Sequence, residues 1–382
     1  MPTTENGRVA LVGCGYTKAT RRLEKDEREL AKDALLMACE DAGMDPADVD
    51  GINVQVHHYP PPDTGTIVKM VGMREVNWSR EGGNGIGPVG LAAQAIDSGQ
   101  CKAVLITKIM NTIAPVATPQ IDPESGGVGG AAQFEVPFGL GYSMQRIGLT
   151  GRRYMNRYGV TEQQLAQVAI VQREHAQLNP WAFMQADMSM EDYLNARFIS
   201  EPVRLFDCDV PVNGAFAVLL TNEEIAKTLK HTPVYLKGWC QSDERQQDHM
   251  IPEKLEGLHP LARTLYKDTG LSPEEMDLWY LYDGFSFFVM HWMENLGLVP
   301  RGEAGNYLEG GDNIRLSTGR TPLNTHGGQL SEGRLHGMGH LLEAVQQLRG
   351  TAGPRQTKTK ANYAIISSVF PETGAAGILG LE

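Results

Sequence analysis

The sequence has few cysteines and no long apolar run, and these shortages argue against several classes of protein. Its cysteines are scattered and never spaced as Cys-x-x-Cys, which disfavours a disulfide framework and a zinc site of that type. No apolar run approaches the roughly 18 residues that a transmembrane helix needs. The first residues hold no basic segment followed by an apolar stretch, so we expect no secretory signal and a cytoplasmic protein. The five cysteines are Cys14, Cys39, Cys101, Cys208 and Cys240.

The sequence also has fewer basic than acidic residues. The 34 Lys and Arg residues are outnumbered by 46 Asp and Glu residues, and the net charge is −12. A nucleic-acid-binding surface is therefore not expected, although a local basic patch remains compatible with an anionic ligand. Hydrophobic residues make up 41% of the chain, as in ordinary globular proteins. Because 382 residues exceed one typical core, we expect two domains or two fused halves.

Two segments of the sequence repeat one pattern. Residues 41–54 and 268–281 both read as a helix end, a turn that begins with Pro, an acidic turn and an apolar strand. The repeat distance is far longer than the period of a solenoid, so it indicates an ancient duplication that produced two similar α/β halves. The alternative is that a common helix–turn–strand pattern arose twice by chance. The identical pairs are Asp41/Asp268, Gly43/Gly270, Pro46/Pro273 and Asp50/Asp277.

Hydrophobic periodicity predicts most of the first half. Residues 110–141 are rich in Gly, Pro, Thr and Ser, which indicates a long, ordered and functional loop. We place the first half at 1–230, with a loop domain at about 110–200, and the second half at 231–382. The predicted strands are 9–12 (followed by a turn at Gly13-Cys14-Gly15), 51–56, 103–107 and 215–220, and the predicted helices are 27–44, 90–96, 144–158, 162–178 and 223–229.

Three stretches resemble segments of the thiolase superfamily. Residues 76–87, with the small-residue helix that follows, resemble the nucleophile segment of thiolases. Residues 282–286 (Tyr-Asp-Gly-Phe-Ser) resemble the His-Asp-Cys-Phe-Ser segment of sterol-carrier-protein-type thiolases. Residues 324–328 and 333–337 are similar to the Asn-x-x-Gly-Gly and Gly-His-Pro-x-Gly segments. The resemblance covers essentially the whole chain and implies a five-layer αβαβα fold, with two stacked mixed sheets, and a homodimer.

The residues that carry thiolase chemistry are replaced in this chain. By the resemblance, the nucleophilic cysteine falls at Gly82 and its activating histidine at Arg334. The His and Cys of His-Asp-Cys become Tyr282 and Gly284, and no cysteine follows Cys240. A Claisen-type thiolase needs a thiolate that holds the acyl group and a base that activates it. Ordinary thiolysis is therefore not expected.

A subgroup of the superfamily, the steroid side-chain-cleaving aldolases of actinobacteria, resembles this chain in the same replacements. Members share the segments at 281–285, 324–330, 336–338 and 347–350. The resemblance implies retro-aldol cleavage of a β-hydroxyacyl-CoA with a steroid or branched side chain, with coenzyme A as part of the substrate and no other cofactor. It also implies a small partner protein built from a zinc ribbon and an OB-fold. The alternatives are a divergent thiolase or acyltransferase and a non-catalytic acyl-CoA-binding subunit.

Retro-aldol cleavage needs a base for the β-hydroxyl, stabilisation of the enolate and an acid for the departing carbon. The related aldolases use two tyrosines, of which the first matches Tyr282 and the second falls at Arg334. Tyr282 is the first candidate for acid or base. Arg334 is expected to lower the pKa of Tyr282, to hold the enolate, or to pair with a carboxylate such as Glu332. The alternative is that Arg334 points away from the site and braces the dimer, with His336 facing the substrate instead. His336 is the next acid–base candidate, and Asp283 is expected to orient Tyr282 or to cap the following helix.

Two further groups of residues are predicted to bind the substrate. Backbone N–H groups ahead of the small-residue helix suit an oxyanion hole, or they form only a tight turn. Arg152 and Arg153 are expected to meet the CoA phosphates, or to lie on a solvated helix face. His336 and His340 are spaced as metal ligands on a helix, but no carboxylate pattern accompanies them and no metal is expected. The predicted substrate-binding residues are Gly82, Gly83, Asn84, Asn324, His326, Gly327 and Gly328.

Overall fold

The computed structural model describes residues 8–23, 25–55, 62–111, 133–134, 136–140, 143–241, 259–369 and 374–381. The strands are β1 (Val9–Tyr16), β2 (Gly51–Gln55), β3 (Trp78–Glu81), β4 (Ala103–Met110), β5 (Phe198–Ser200), β6 (Val203–Arg204), β7 (Gly214–Asn222), β8 (Val234–Gln241), β9 (Leu278–Tyr280), β10 (Tyr363–Ser368) and β11 (Ala375–Gly380). The helices are α1 (Glu27–Ala42), α2 (Thr64–Val71), α3 (Ile86–Asp97), α4 (Ser143–Tyr158), α5 (Glu162–Gln177), α6 (Met190–Asn195), α7 (Glu223–Ala226), α8 (Pro260–Thr269), α9 (Ser286–Asn295), α10 (Ala304–Leu308), α11 (Gly328–Ser331) and α12 (Met338–Arg349).

Nine of the described strands form one mixed sheet in the order β3-β2-β4-β7-β1-β8-β11-β10-β9. The two halves of this sheet meet where β1 and β8 pair antiparallel, with Ala10 opposite Tyr235 and Leu11 opposite Val234. Counted outward from that seam, the first half-sheet runs β1, β7, β4, β2 and the second runs β8, β11, β10, β9. Each strand of the first half therefore has a counterpart at the same position in the second. The predicted boundary between residues 230 and 231 falls between α7 and β8.

The duplication that the sequence indicated is confirmed in detail. α1 and α8 both end at a glycine in the left-handed conformation, Gly43 at φ 73° and Gly270 at φ 70°, which L-residues with a side chain rarely adopt. A 3-10 turn and a strand follow in each half. Asp50 accepts from the amides of Lys102 and Ala103 at the start of β4. Asp277 accepts in the same way from the amides at the start of β10.

Three hydrophobic cores separate the layers. One core lies between α1 and the outer face of the first half-sheet. A second core buries α3 and α12 between the inner faces of both half-sheets, and a third packs α5, α8 and α9 against the outer face of the second half-sheet. The layers therefore follow the αβαβα order, as predicted. No described helix has the length and apolarity to cross a bilayer.

Several predicted bounds were wrong. Gly13-Cys14-Gly15 forms no turn, because β1 continues through it to Tyr16. The glycines there allow close packing: a Cβ on Gly13 would lie 2.0 Å from the carbonyl oxygen of Ala38. α3 begins at Ile86 rather than residue 90. β4 extends to Met110 and so brings Lys108 into the sheet. Most of the predicted loop at 110–141 lies outside the described residues.

Candidate active site

Four segments converge at one end of the central layer. The segment before α3 reaches the end of β10 through a hydrogen bond from the Ile86 amide to Ser368 Oγ (2.9 Å). The residue after β9 is tied to β10 when the Tyr282 amide donates to Ser367 Oγ (2.9 Å). The turn before α12 closes on both, since a Cβ at Gly337 would lie 3.4 Å from Ser368 Oγ. A cavity of about 270 Å³ opens here, and its lining includes Gly82, Gly83, Asn84, Val369 and Gly374.

The glycine-rich segment before α3 needs its glycines. Gly82, Gly83 and Gly85 have φ values of 81°, 88° and 53°, which residues with a side chain rarely adopt. A Cβ at Gly85 would lie 2.1 Å from Ser368 Oγ. The Gly82 amide donates to the carbonyl oxygen of Val54 (2.9 Å), so the backbone of the protein already uses that N–H group. No thiol is present where a thiolase carries its nucleophile.

Tyr282, the residue that follows β9 by two positions, is buried. Burial raises the pKa of its phenol above the ordinary value, and the nearby Asp209 raises it further. A side-chain hydrogen bond with Gln329 and the charge of Arg334 act in the opposite direction but do not offset the burial. Arg334 therefore acts on the pKa of Tyr282 in the expected direction, although burial outweighs its charge. The phenol keeps its proton and is suited to donate it.

Arg334 pairs with Asp209, a residue that the sequence did not single out. Its Nη1 lies 3.5 Å from Asp209 Oδ1, and the two side chains are 24% and 13% exposed. The pair is therefore neither fully solvated nor fully buried. Burial raises the pKa of Asp209 to about 7, although Arg334 acts to lower it. The pairing with Glu332 is not formed, because Glu332 accepts from Asn179 Nδ2 (2.9 Å) instead.

Lys108 and His336 both contact the side chain of Asn84. The Asn84 Oδ1 atom lies 2.9 Å from Lys108 Nζ and 3.0 Å from His336 Nδ1. Burial and the charge of Arg334 lower the pKa of Lys108 to about 7. The predicted strand ended at Thr107, and a lysine inside an apolar strand was the signal that sequence reasoning passed over.

Asp283 supports the residues around it and does not cap the next helix, whose N-cap is Phe285. Its fully buried carboxylate lies 3.2 Å from His340 Nε2 and accepts from the Leu330 amide (3.3 Å). Asn324 is also fully buried, and its amide group exchanges two hydrogen bonds with the backbone of Leu281. Both side chains therefore hold the strand end that carries Tyr282.

The remaining predicted binding residues are packed against the protein. His326 is buried, and its ring lies edge-on to that of His340 at 4.9 Å between centroids. Gly327 contacts α5, where a Cβ would lie 2.6 Å from the side chain of Ala176, and a Cβ at Gly328 would lie 2.1 Å from Asp283 Oδ2. Contact of these residues with substrate stays a prediction.

The two arginines predicted to bind CoA lie on α4. Arg152 Nη2 pairs with Glu201 Oε1 at 2.6 Å, and 40% of the arginine side chain is exposed. Arg153 is exposed. Among the described residues, no group of three His, Cys, Asp or Glu side chains is placed to hold a metal ion.

Comparison with known proteins relates most of the chain to steroid side-chain-cleaving enzymes and also to an acetyl-CoA acetyltransferase of Methanothermobacter thermautotrophicus, which is 30% identical over 92% of this chain. The model of the family "Thiolase C-terminal domain-like" matches residues 242–370. The steroid side-chain-cleaving aldolase of Thermomonospora curvata is 33% identical over 370 residues, which cover 91% of each chain. The 17-hydroxy-3-oxo-4-pregnene-20-carboxyl-CoA lyase of Mycobacterium tuberculosis is 33% identical over 368 residues, which cover 91% of this chain and 93% of that protein.

Solved structures give the same result. A structure described as the Ltp2-ChsH2(DUF35) aldolase matches with a TM-score of 0.87 and 31% identity, and the match covers 99% of both chains. Human mitochondrial 3-ketoacyl-CoA thiolase matches with a TM-score of 0.70 and 16% identity over 98% of this chain and 99% of that one. At that identity the second likeness shows the fold alone.

We predict that alkylation of thiols leaves the activity intact. Burial raises the pKa of Cys14 and of Cys208 to about 12, so little reactive thiolate exists at neutral pH. The measurement is the rate of turnover after iodoacetamide treatment, with modified cysteines counted by mass spectrometry. Cys208→Ser is the matched control, because Cys208 adjoins Asp209. Stoichiometric inactivation that substrate prevents, and that the Cys208→Ser variant retains, would contradict this prediction.

Proposed function

The chain belongs to the steroid side-chain-cleaving aldolases of the thiolase superfamily, and we propose that it cleaves a β-hydroxyacyl-CoA by a retro-aldol reaction. The observation that carries the proposal is the site itself. Gly82 lines the cavity in the nucleophile position, and Asn84 on the same wall contacts Lys108 and His336. The charge of Arg334 acts on Lys108 and on the protonated phenol of Tyr282. Such a site lacks the group for covalent acyl transfer but has groups for proton transfer and charge stabilisation. The acyl group is proposed to be a steroid or branched side chain, as the names of the relatives suggest.

The chemistry needs no covalent intermediate. A base takes the proton of the β-hydroxyl, the bond between Cα and Cβ breaks, and a carbonyl forms at Cβ. The electron pair of the broken bond forms an enolate on the thioester. Tyr282 then gives its proton to Cα, which completes the shorter acyl-CoA. Arg334 stabilises the negative charge that develops on the enolate oxygen.

Binding of the CoA moiety is proposed for the exposed face of α4. The guanidinium groups of Arg152 and Arg153 are suited to phosphate oxygens. Glu201 already pairs with Arg152, so a phosphate would compete with that carboxylate. Gly83 and Asn84 are proposed to contact the acyl part, because both line the cavity.

The first test of this function is the Tyr282→Phe variant, in an assay with a panel of β-hydroxyacyl-CoA thioesters. The wild-type protein is expected to release an aldehyde or ketone and a shorter acyl-CoA without added CoA. The variant is expected to lose roughly 10²–10⁴-fold in turnover, the range for one proton-transfer group. It should fold normally, since it lacks one hydroxyl only.

Other outcomes separate the alternatives. Product formation that requires free CoA would indicate a divergent thiolase or acyltransferase. If no thioester of the panel is converted, even with a partner present, the protein would be an acyl-CoA-binding subunit. Near-wild-type turnover of Tyr282→Phe would show that this tyrosine is structural.

The second test concerns Arg334. Arg334→Met is expected to lose roughly 10²–10³-fold in turnover, comparable with the loss of one oxyanion-hole donor, whereas Arg334→Lys keeps part of the rate. The double variant Arg334→Met/Asp209→Asn is the control, because it also removes the carboxylate that Arg334 compensates. Turnover restored by the second substitution would show that Arg334 serves only to neutralise Asp209.

The third test concerns assembly. The name of the 31%-identical structure includes a second, DUF35 component, and this chain has no Cys-x-x-Cys pair from which to build a zinc ribbon. We expect a homodimer that has poor activity or solubility until a zinc-ribbon and OB-fold protein with such a domain is co-expressed. The edge strand β3 supports the dimer, since three of its four residues are exposed. Light scattering and activity measured with and without the partner check this. A fully active, monodisperse homodimer made alone would refute the dependence.

A further inference from the structure

Lys108 is a cationic side chain that is almost fully buried on β4. It lies on β4 between Ile106 and Met110, on the face that packs against α3 and α12. Its neighbours across the sheet are Gln55 on β2 and Phe216 on β7, and its exposure is 1%. Burial of an ammonium group costs several kcal/mol, on the order estimated for ions in protein interiors. A lysine is therefore not expected here unless it has a role.

Polar and cationic groups surround Lys108, and Asn84 Oδ1 accepts a hydrogen bond from its Nζ (2.9 Å). Arg334 is the charged group that acts on it, and this guanidinium disfavours the ammonium form. His336 is the titratable group on the adjoining turn, and Asn84 separates the two. Neither amide atom of Gln55, which is fully buried, has a hydrogen-bond partner within the described part of the chain. The side chain of Lys108 therefore lies among polar groups, with the Asn84 amide within hydrogen-bond distance.

Asn84 joins Lys108 to His336 through one oxygen atom. A protonated lysine only donates hydrogen bonds, so it requires the carbonyl oxygen of the Asn84 amide to face it. The same oxygen lies 3.0 Å from His336 Nδ1 and can only accept there. Nδ1 must therefore carry a hydrogen, and in the neutral ring the lone pair is then on Nε2.

The backbone of His336 is held in an uncommon conformation for this contact. Its φ is 50°, in the left-handed region, and Gly337 follows at φ 88°. A histidine in this region costs about 1 kcal/mol or more relative to an ordinary conformation. The ring is only partly buried, unlike the rings of His326 and His340.

We propose that Lys108 is a positioning residue that acts through Asn84 to hold His336 in the Nδ1–H tautomer, so that His336 Nε2 accepts the proton of the substrate β-hydroxyl. The proposal rests on the retro-aldol function and names its base. The hydroxyl proton moves to Nε2 as the bond between Cα and Cβ breaks. Tyr282 supplies the proton that Cα gains, and the imidazolium then returns its proton to the phenolate through solvent. Atoms and charge balance over one turnover.

This arrangement makes the rate depend on the charge of Lys108. The pKa of Lys108 is lowered to about 7, so the ammonium form is present below that pH and is lost above it. A neutral amine also accepts hydrogen bonds, and the Asn84 amide is then free to turn its NH₂ group toward Lys108 and His336. Turnover is expected to fall as the pH rises through about 7. Lys108→Arg, which stays charged, should remove this fall.

The test begins with the tautomer of His336, which is independent of any activity. The ¹⁵N shifts of the ring are measured in protein labelled at histidine, and His336→Gln assigns the signals. Wild-type protein is expected to show the Nδ1–H form, and Lys108→Met a shift toward the Nε2–H form. Lys102→Met, at an exposed lysine just before β4, is the control and should match wild type. The same tautomer in wild type and in Lys108→Met would overturn the proposal.

Kinetics then test the role in turnover. His336→Gln is expected to lower kcat by roughly 10²–10⁴-fold, the range for loss of a general base. Lys108→Met is expected to lower kcat by at least roughly 10-fold and by no more than His336→Gln does. The double variant should be no slower than His336→Gln alone, because both changes remove one function. Additive losses would refute the positioning role. If Lys108→Met does not fold, Asn84→Leu removes the amide oxygen that joins Lys108 to His336. Asn84→Leu must then show the same shift toward the Nε2–H tautomer, and its loss in kcat must not add to that of His336→Gln.

These results separate the inference from the function on which it rests. Absence of cleavage in the wild-type protein would refute the retro-aldol function and leave the tautomer measurement valid. Cleavage with an unperturbed His336 in the variants would refute the inference alone.

Discussion

Arg334 supplies the charge on which the other ionisable groups of the site depend. It pairs with Asp209, and it acts to lower the pKa of Asp209, of Tyr282 and of Lys108. Burial is the largest influence on all three groups: it raises the pKa of Asp209 and of Tyr282 and lowers the pKa of Lys108. The result is a protonated phenol, a carboxyl group and an amine that both titrate near neutrality, and a fixed cation among them. A histidine at this position, as in thiolases, would titrate with its surroundings and give a different set of charges.

The duplicated fold explains how these groups come together. Each half contributes segments at the end of its sheet, and the central helices α3 and α12 begin where those segments meet. The contact between His336 and Asn84 spans 252 residues of sequence, and the bond from the Ile86 amide to Ser368 spans 282. The site thus lies between the two halves and cannot form in either one alone. The cavity at this junction is bounded in part by glycines, and Gly82 stands where a thiolase carries its thiol.

Much of this architecture could be predicted from the sequence, because its signals are local. The repeat around Asp50 and Asp277 predicted the duplication. The motif at 333–337 marked Arg334 as a candidate site residue, and its charge acts on Tyr282 in the structure. Lys108 was missed because its contacts are with distant segments and its strand reads as apolar. Asp209 lies in an irregular segment before β7 where no pattern marks a residue as functional. The sequence left Tyr282 open as acid or base for a related reason: the charge of Arg334 was visible in the sequence, but the extent of burial was not.

The central claim is that cleavage proceeds through an enolate and never through an acyl-enzyme. Turnover of a β-hydroxyacyl-CoA in D₂O, in the presence of any required partner, tests this claim most directly when the product and the intact protein are both analysed by mass spectrometry. The account predicts a shorter acyl-CoA with one deuterium at Cα, and a protein mass that does not change during turnover. An acyl adduct on the protein, or a product without deuterium at Cα, would contradict it.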